Sequence, residues 1–260
     1  MILVDAQEGD AASAQYTKDG VTVTVESRTD DAGRWFHVRE TGAEEGPKVL
    51  RGGHAAEALF SLMEPLKALR VLEDVPAEKL EELGLKTPKA TMTVTVRGQA
   101  HELQLGGTAF GSNDAYAKTS EGRIVVLPAA LVRDLDRGSQ TFLERRLLAA
   151  RRPDITRLKV RAGEVQLTLI QKGGANPHQA SWVKEEAPDQ VSDALNSWMD
   201  KLLGLQAESW AEGTPEENWG ARLQVNVETA KGGEQLTLFE TPDGFRVVST
   251  HGRLSAIVKR

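Results

Sequence analysis

The chain contains no cysteine. That one absence excludes disulfides, thiolate metal sites and a cysteine nucleophile together, and it suits a reducing or an oxidising compartment equally. There is no run of about 20 apolar residues of the kind a membrane-spanning helix needs. The opening Met-Ile-Leu-Val is too short for the apolar core of a secretory signal and follows no basic stretch. Positive charge is the scarcer sign: 32 Lys and Arg face 38 Asp and Glu, for a net charge of −6. This argues against a nucleic-acid partner, which calls for a basic stripe. No GxSxG nucleophile elbow, no HExxH metal helix and no GK[ST] phosphate loop occurs. The sequence therefore displays no catalytic constellation, no cofactor fingerprint and no metal-ligand spacing, and is read as that of a protein that is not an enzyme.

What is present is enough apolar material for two packed cores. The chain has 260 residues, 40% of them hydrophobic, and this length suits two domains better than one. Period-two alternation marks strands at Val21 to Ser27 (VTVTVES) and Val165 to Gln171 (VQLTLIQ). Each is followed by a polar turn and a strand that opens on a tryptophan, RWFHV from Arg34 and SWVKE from Ser181. A helical stripe then follows in each half: Ala55, Leu59, Leu62, Leu66 and Leu69 in the first, Val191, Leu195, Trp198, Leu202 and Leu205 in the second. The strands TMTVTV (Thr91 to Val96) and RLQVNV (Arg222 to Val227) come next. Leu103 and Leu105 pair with Leu236 and Leu238, Tyr116 with Phe245, and Gly122-Arg123-Ile124 with Gly252-Arg253-Leu254. So many matches in one order predict an internal repeat.

The expected fold class is α+β: two structurally repeated units, each a mostly antiparallel β-sheet with one main helix packed on a face. Residues 1–15 read as a flexible lead, 16–138 as unit one, 139–153 as a helical elbow and 154–260 as unit two. In the elbow, apolar Phe142, Leu143, Leu147 and Leu148 bracket charged Glu144, Arg145 and Arg146, a pattern suited to a short amphipathic helix that Pro153 stops. Pro65 should kink or break the first main helix.

The candidates for chemistry are few. The five histidines, His37, His54, His101, His178 and His251, are scattered; His37 and His101 read as surface positions on strands. Arg145, Arg146, Arg151 and Arg152 form the basic cluster, read as a solvated helix face. Ser112-Asn113-Asp114 lies among Gly106, Gly107 and Gly111 and reads as a structural loop. A hydrolase assembled from His54, Ser112 and Asp114 would require those side chains to converge. Acidic pairs Asp30-Asp31 and Glu44-Glu45 read as solvated turns. Trp35, Trp182 and Trp198 read as core anchors. Trp210 and Trp219 have no counterpart in unit one; core or interdomain packing is the plainer reading of both, and they are also the candidate contacts for a partner protein or a glycan.

Six segments carry a family likeness: GLKTP (Gly84 to Pro88), LQLGG (Leu103 to Gly107), AYAKTSEGRIVVLPAALVRDL (Ala115 to Leu135), FLERRLL (Phe142 to Leu148), ITRLKV (Ile155 to Val160) and the run Ser181 to Leu205. Together the chain resembles domain of unknown function 4340, over most of residues 16 to 210. It departs where Val125-Val126-Leu127 lacks the family's tyrosine and where Leu143 is followed by Glu144-Arg145 instead of Arg-Asp. The resemblance implies an extracytoplasmic protein on the periplasmic side, tethered to the inner membrane by an anchor absent from this chain. It implies as partners an ABC transporter permease or a Gld-like (gliding-associated) auxiliary subunit. No catalytic residues come with it, and no cofactor. The expected role is a non-enzymatic accessory or scaffold protein of a Gld-like ABC transport or surface-motility system. The alternative is a binding module for a glycan or cell-envelope polymer.

Overall fold

The computed structural model describes residues 1–258 apart from 45, 174–179, 214, 216–218 and 243. Strands take up 50% of the described residues and helices 16%, so the fold is a sheet-dominated α+β. The backbone divides into two compact units, Met1–Glu144 and Arg145–Arg260. Among the described residues no helix is long and apolar enough to cross a membrane.

The first unit begins with β1 (Ile2–Val4), β2 (Ala11–Lys18), β3 (Val21–Asp30), β4 (Gly33–Thr41) and β5 (Lys48–Gly52). Helix α1 (His54–Met63), β6 (Leu66–Lys67), β7 (Arg70–Leu72) and the single-turn α2 (Lys79–Glu82) follow. The unit closes with β8 (Ala90–Val96), β9 (Gln99–Thr108), β10 (Ala115–Thr119), β11 (Ile124–Leu127), α3 (Ala129–Asp136) and a 3-10 turn at Ser139–Phe142. Its main sheet is antiparallel throughout, in the order β5-β4-β3-β2-β8-β9-β10-β11-β7. β1 and β6 form a separate pair. The alternation in TMTVTV works as its period demands: Met92, Val94 and Val96 are buried, while Thr91, Thr93 and Thr95 are half-buried on the other face. Ala14 and Tyr16 face Val94 and Met92 across the β2–β8 ladder.

Residues 1–15, expected to be a flexible lead, are structured: they hold β1 and the first part of β2. A buried carboxylate explains why. Glu64, just past the end of α1, has a side chain only 3% exposed. It accepts both terminal nitrogens of Arg34, at 3.1 and 2.9 Å, and the backbone N–H groups of Gly9 and Ala11, at 3.1 and 2.9 Å. Arg34 also donates through Nε to Ser27 Oγ at 2.7 Å and lies over the rings of Phe36 and Phe60. The polar-looking lead is thereby stitched to the end of α1 and the start of β4.

The stripe expected on α1 is corrected in phase and length. The buried residues are Ala56, Leu59, Phe60 and Met63, spaced three, one and three, one face of a helix. The helix stops before Pro65, which lacks the N–H a further turn requires. Leu66 goes into β6, and Leu69 is 58% exposed. Phe60 packs on Phe36 with ring centroids 4.8 Å apart, and α1 also packs against α3 and the 3-10 turn.

The second unit has a 3-10 turn at Arg152–Asp154, then β12 (Ile155–Ala162), β13 (Val165–Lys172), β14 (Ser181–Lys184) and α4 (Asp193–Leu203). It continues through β15 (Ser209–Ala211), β16 (Gly220–Thr229), β17 (Gly232–Thr241), β18 (Gly244–Ser249) and β19 (Ser255–Val258). The sheet is again antiparallel, in the order β14-β13-β12-β16-β17-β18-β19-β15. Ser192 caps α4 by accepting from Leu195 N at 3.3 Å. The inward face of α4 differs from the expected stripe: Met199 and Leu202 are buried, while Val191 is 63% and Trp198 36% exposed. Asn196 sets this phase, because its side-chain oxygen accepts from Trp182 N at 2.8 Å and ties α4 to β14. Trp182 is fully buried.

The helical elbow is replaced by two 3-10 turns with extended chain between them. Its backbone groups pair sideways instead of along a helix. Phe142 O accepts from Gly53 N at 2.8 Å and Glu144 N donates to Arg51 O at 2.8 Å, both within the first unit. Arg145 O accepts from Ala207 N at 2.8 Å, within the second. Ala149 N and Ala150 N grip the two carboxylate oxygens of Glu234 at 2.8 and 2.7 Å. The boundary therefore falls at 144/145, inside the span assigned to the elbow.

Glu64→Ala leaves a guanidinium and the backbone amides of Gly9 and Ala11 without their acceptor. The expected loss is about 3 kcal/mol, the cost of breaking a buried charge pair. Urea denaturation measures it, and amide exchange should show Gly9 and Ala11 losing protection. A loss under about 1 kcal/mol, the value of a surface pair, would contradict the role given to Glu64.

Candidate functional site

Unit one contains a cavity of about 470 Å³, within the size range of small-molecule sites. Four segments build it. β2 supplies Tyr16 and Lys18, the start of β8 supplies Ala90 with Lys89 before it, and the end of β9 supplies Leu105 through Thr108. Helix α3 presents Ala129, Val132, Arg133 and Asp136, with Arg137 just after it; their spacing places them on one face. Asn113 and Ala115 complete the lining. α3 starts where it does because Asp114 Oδ1 accepts from Ala129 N at 2.9 Å.

The wall is positioned by a docked turn. Gly84 has φ +69°, and Leu85 N and Lys86 N both return to Leu80 O, at 2.7 and 3.1 Å. Gly107 N donates to Leu83 O at 2.7 Å. A Cβ on Gly106 would stand 2.3 Å from Leu83 O and 2.9 Å from Leu85 Cδ2. Glycine at 106 is thus demanded by the close approach of the GLKTP turn to the LQLGG strand end.

Asp136 organises the polar side. Its Oδ1 accepts from the Tyr16 hydroxyl at 2.6 Å and from Lys18 Nζ at 2.7 Å. The Lys18 bond, then the Tyr16 bond, hold the Asp136 carboxyl below the usual range. Burial, and after it the bond to Asp136, pushes the Tyr16 phenol well above an ordinary tyrosine. The bond to Asp136 raises Lys18. Four cations, Lys18, Lys89, Arg133 and Arg137, line the cavity against one carboxylate. Arg133 Nε donates to Asp134 at 3.0 Å, and Arg137 lies 3.9 Å from the same carboxylate.

The residues singled out from sequence fall elsewhere. Trp210 is only 4% exposed and closes on Gly252, where a Cβ would meet its ring at 2.7 Å. It is a packing residue of unit two and not a platform, because burying the indole is worth more than exposing it. Trp219 is half-buried, edge-on to Phe239 at 5.8 Å, with Arg246 over its ring at 5.4 Å. His37 is 1% exposed, beside Trp35 and 3.7 Å from Glu26, and so is not the surface position expected. His54 is exposed and lies 3.5 Å from Glu57. Ser112 Oγ accepts from Asp114 N at 3.2 Å, and among the described residues no hydrogen bond joins His54 to either. His178 and Glu45 lie outside the described residues. Arg146, Arg151 and Arg152 line a smaller cavity of about 220 Å³ with Leu147, Leu202 and Leu236, so the basic cluster is not a helix face. Among the described residues no three His, Asp or Glu side chains form a metal-binding group.

The Tyr16–Asp136–Lys18 cluster was not visible in the sequence. Its members lie up to 120 residues apart, and strand periodicity says only that Tyr16 faces inward. Two pH effects follow from it. Asp136 adds stability in full above its unfolded value of about 4 and loses it as pH falls through the lower folded value. Tyr16, shifted the other way, adds stability in full below its unfolded value of about 10 and loses it as pH rises towards the folded one. In an alkaline titration followed by ultraviolet absorbance, one of the two tyrosines should resist ionisation until the fold gives way. Tyr16→Phe should abolish that late phase; its persistence would place the resistant phenol elsewhere.

Comparison with known proteins puts a family to these segments. The model of the domain of unknown function DUF4340 matches residues 54–224. That span takes in α1, the docked turn, the cavity wall on β8, β9 and α3, and the second unit as far as β16. No curated protein and no solved structure matches the chain. The match covers more than half of the chain, which therefore belongs to the DUF4340 family.

Proposed function

We propose that the chain is a non-enzymatic, extracytoplasmic accessory protein of a Gld-like ABC transport or surface-motility system, and that it acts through protein–protein contacts. The observation that carries this reading is the use made of the family's segments. GLKTP, LQLGG and the run through α3 build turns, ladders and a cavity wall. None of them presents a nucleophile beside a base. Partners on this reading are the permease or a Gld-like auxiliary subunit, with tethering to the inner membrane on the periplasmic side. The glycan alternative keeps only Trp219 of its two tryptophans, since Trp210 is buried, and the accessory reading is preferred for that reason.

We also infer that the two units are copies of one fold. The ladder β4-β3-β2-β8-β9-β10-β11-β7 of the first has its element-by-element counterpart in β14-β13-β12-β16-β17-β18-β19-β15 of the second. A helix follows the third strand's segment in both: α1 after β4 and β5, α4 after β14. An experimental structure with a different strand order in either unit would refute the inference.

Co-purification tests the functional reading. The gene product, tagged at its C-terminus and extracted from native membranes in mild detergent, should bring down a permease and its ATPase. Recovery of the protein alone would remove the accessory reading.

A further inference from the structure

We propose that the cavity of unit one is a binding site for a small organic anion, a carboxylate or phosphate carried on an apolar body. The site is a local reversal of charge: the whole chain carries −6, yet four cations and a single carboxylate line this cavity. That carboxylate, Asp136, is already engaged by Lys18 and by the Tyr16 hydroxyl, so it offers an incoming anion little repulsion. Arg133 and Arg137 share Asp134, which does not itself line the cavity. Lys89 has no ion-pair partner among the described residues and is exposed on the rim.

The remaining lining selects the rest of the ligand. Ala90, Leu105, Ala115, Ala129 and Val132 give a surface of small apolar groups, which suits a compact hydrocarbon or aromatic body. Asn113 and Thr108 add neutral hydrogen-bonding groups. Guanidinium and ammonium donors bond most strongly to anionic oxygens. A cationic ligand would meet the four positive side chains, and a neutral one would forgo them.

The test uses the full chain and four probes of one shape: phenyl phosphate, benzoate, benzyl alcohol and benzylamine, with inorganic phosphate as a fifth. Amide spectra report binding at Gly106, Gly107 and Asn113. At least one of the two aromatic acids should shift these amides at millimolar concentration, and benzyl alcohol and benzylamine should not. Lys89→Ala combined with Arg133→Ala removes two of the four cations and should weaken the acid at least about tenfold, the effect of losing a single charge-assisted contact, while leaving the melting temperature unchanged. Both side chains are exposed, so the variant should fold. The acid that binds identifies the head group. No shift with either acid would overturn the proposal. So would an unchanged affinity in the double variant, or inorganic phosphate binding as well as phenyl phosphate.

Discussion

The first unit depends on a carboxylate whose side chain is all but buried, that of Glu64. Glu64 ends α1, and Arg34 opens β4; between them they also hold the segment that leads into β2. β2 is the strand that joins the two halves of the sheet, pairing with β3 on one side and β8 on the other. Anything that loosens the Gly9–Ala11 segment therefore reaches the middle of the ladder. A buried charge of this kind is costly unless its acceptor positions are filled. Here they are filled by a forked guanidinium and two backbone amides, and the guanidinium is itself backed by Phe36 and Phe60. Such an arrangement favours one geometry over its near neighbours, because a shifted strand would leave the carboxylate partly unpaired.

The same logic of lateral pairing accounts for the elbow. A pattern of two apolar residues, three charges and two apolar residues satisfies a helix in isolation. In the folded chain its N–H and C=O groups have better-placed partners in Gly53, Arg51 and Ala207, and the helix does not form. Propensity is a weak prior beside satisfied backbone groups. α4 shows a related effect on a smaller scale, where one polar residue, Asn196, turns the helix so that Trp198 stands outward and Met199 inward.

Family signature and cavity meet in unit one. The close approach of Leu83 to Gly106 and Gly107 fixes where β9 ends. The chain continuing from that turn places Lys89 on one lip of the cavity, and the run into α3 places Arg133 and Asp136 on another. Residues whose local purpose is a turn or a ladder thus determine the geometry of a charged recess.

The sequence by itself determined the α+β class, the strands with clear period-two alternation and the break at Pro65, because each depends on neighbours within a few residues. It also carried the family, through short motifs that survive as local structure. Tertiary structure alone decided the phase of α1 and α4, the fate of the elbow, the ordering of residues 1–15 and the burial of Trp210 and His37. Each of these turns on a partner far along the chain: Glu64 for Gly9, Asn196 for Trp182, Gly252 for Trp210. The cavity belongs to the same class. Tyr16, Lys89 and Asp136 carry no common motif, and only the β2–β8 ladder and the packing of α3 beside it bring their side chains to one recess.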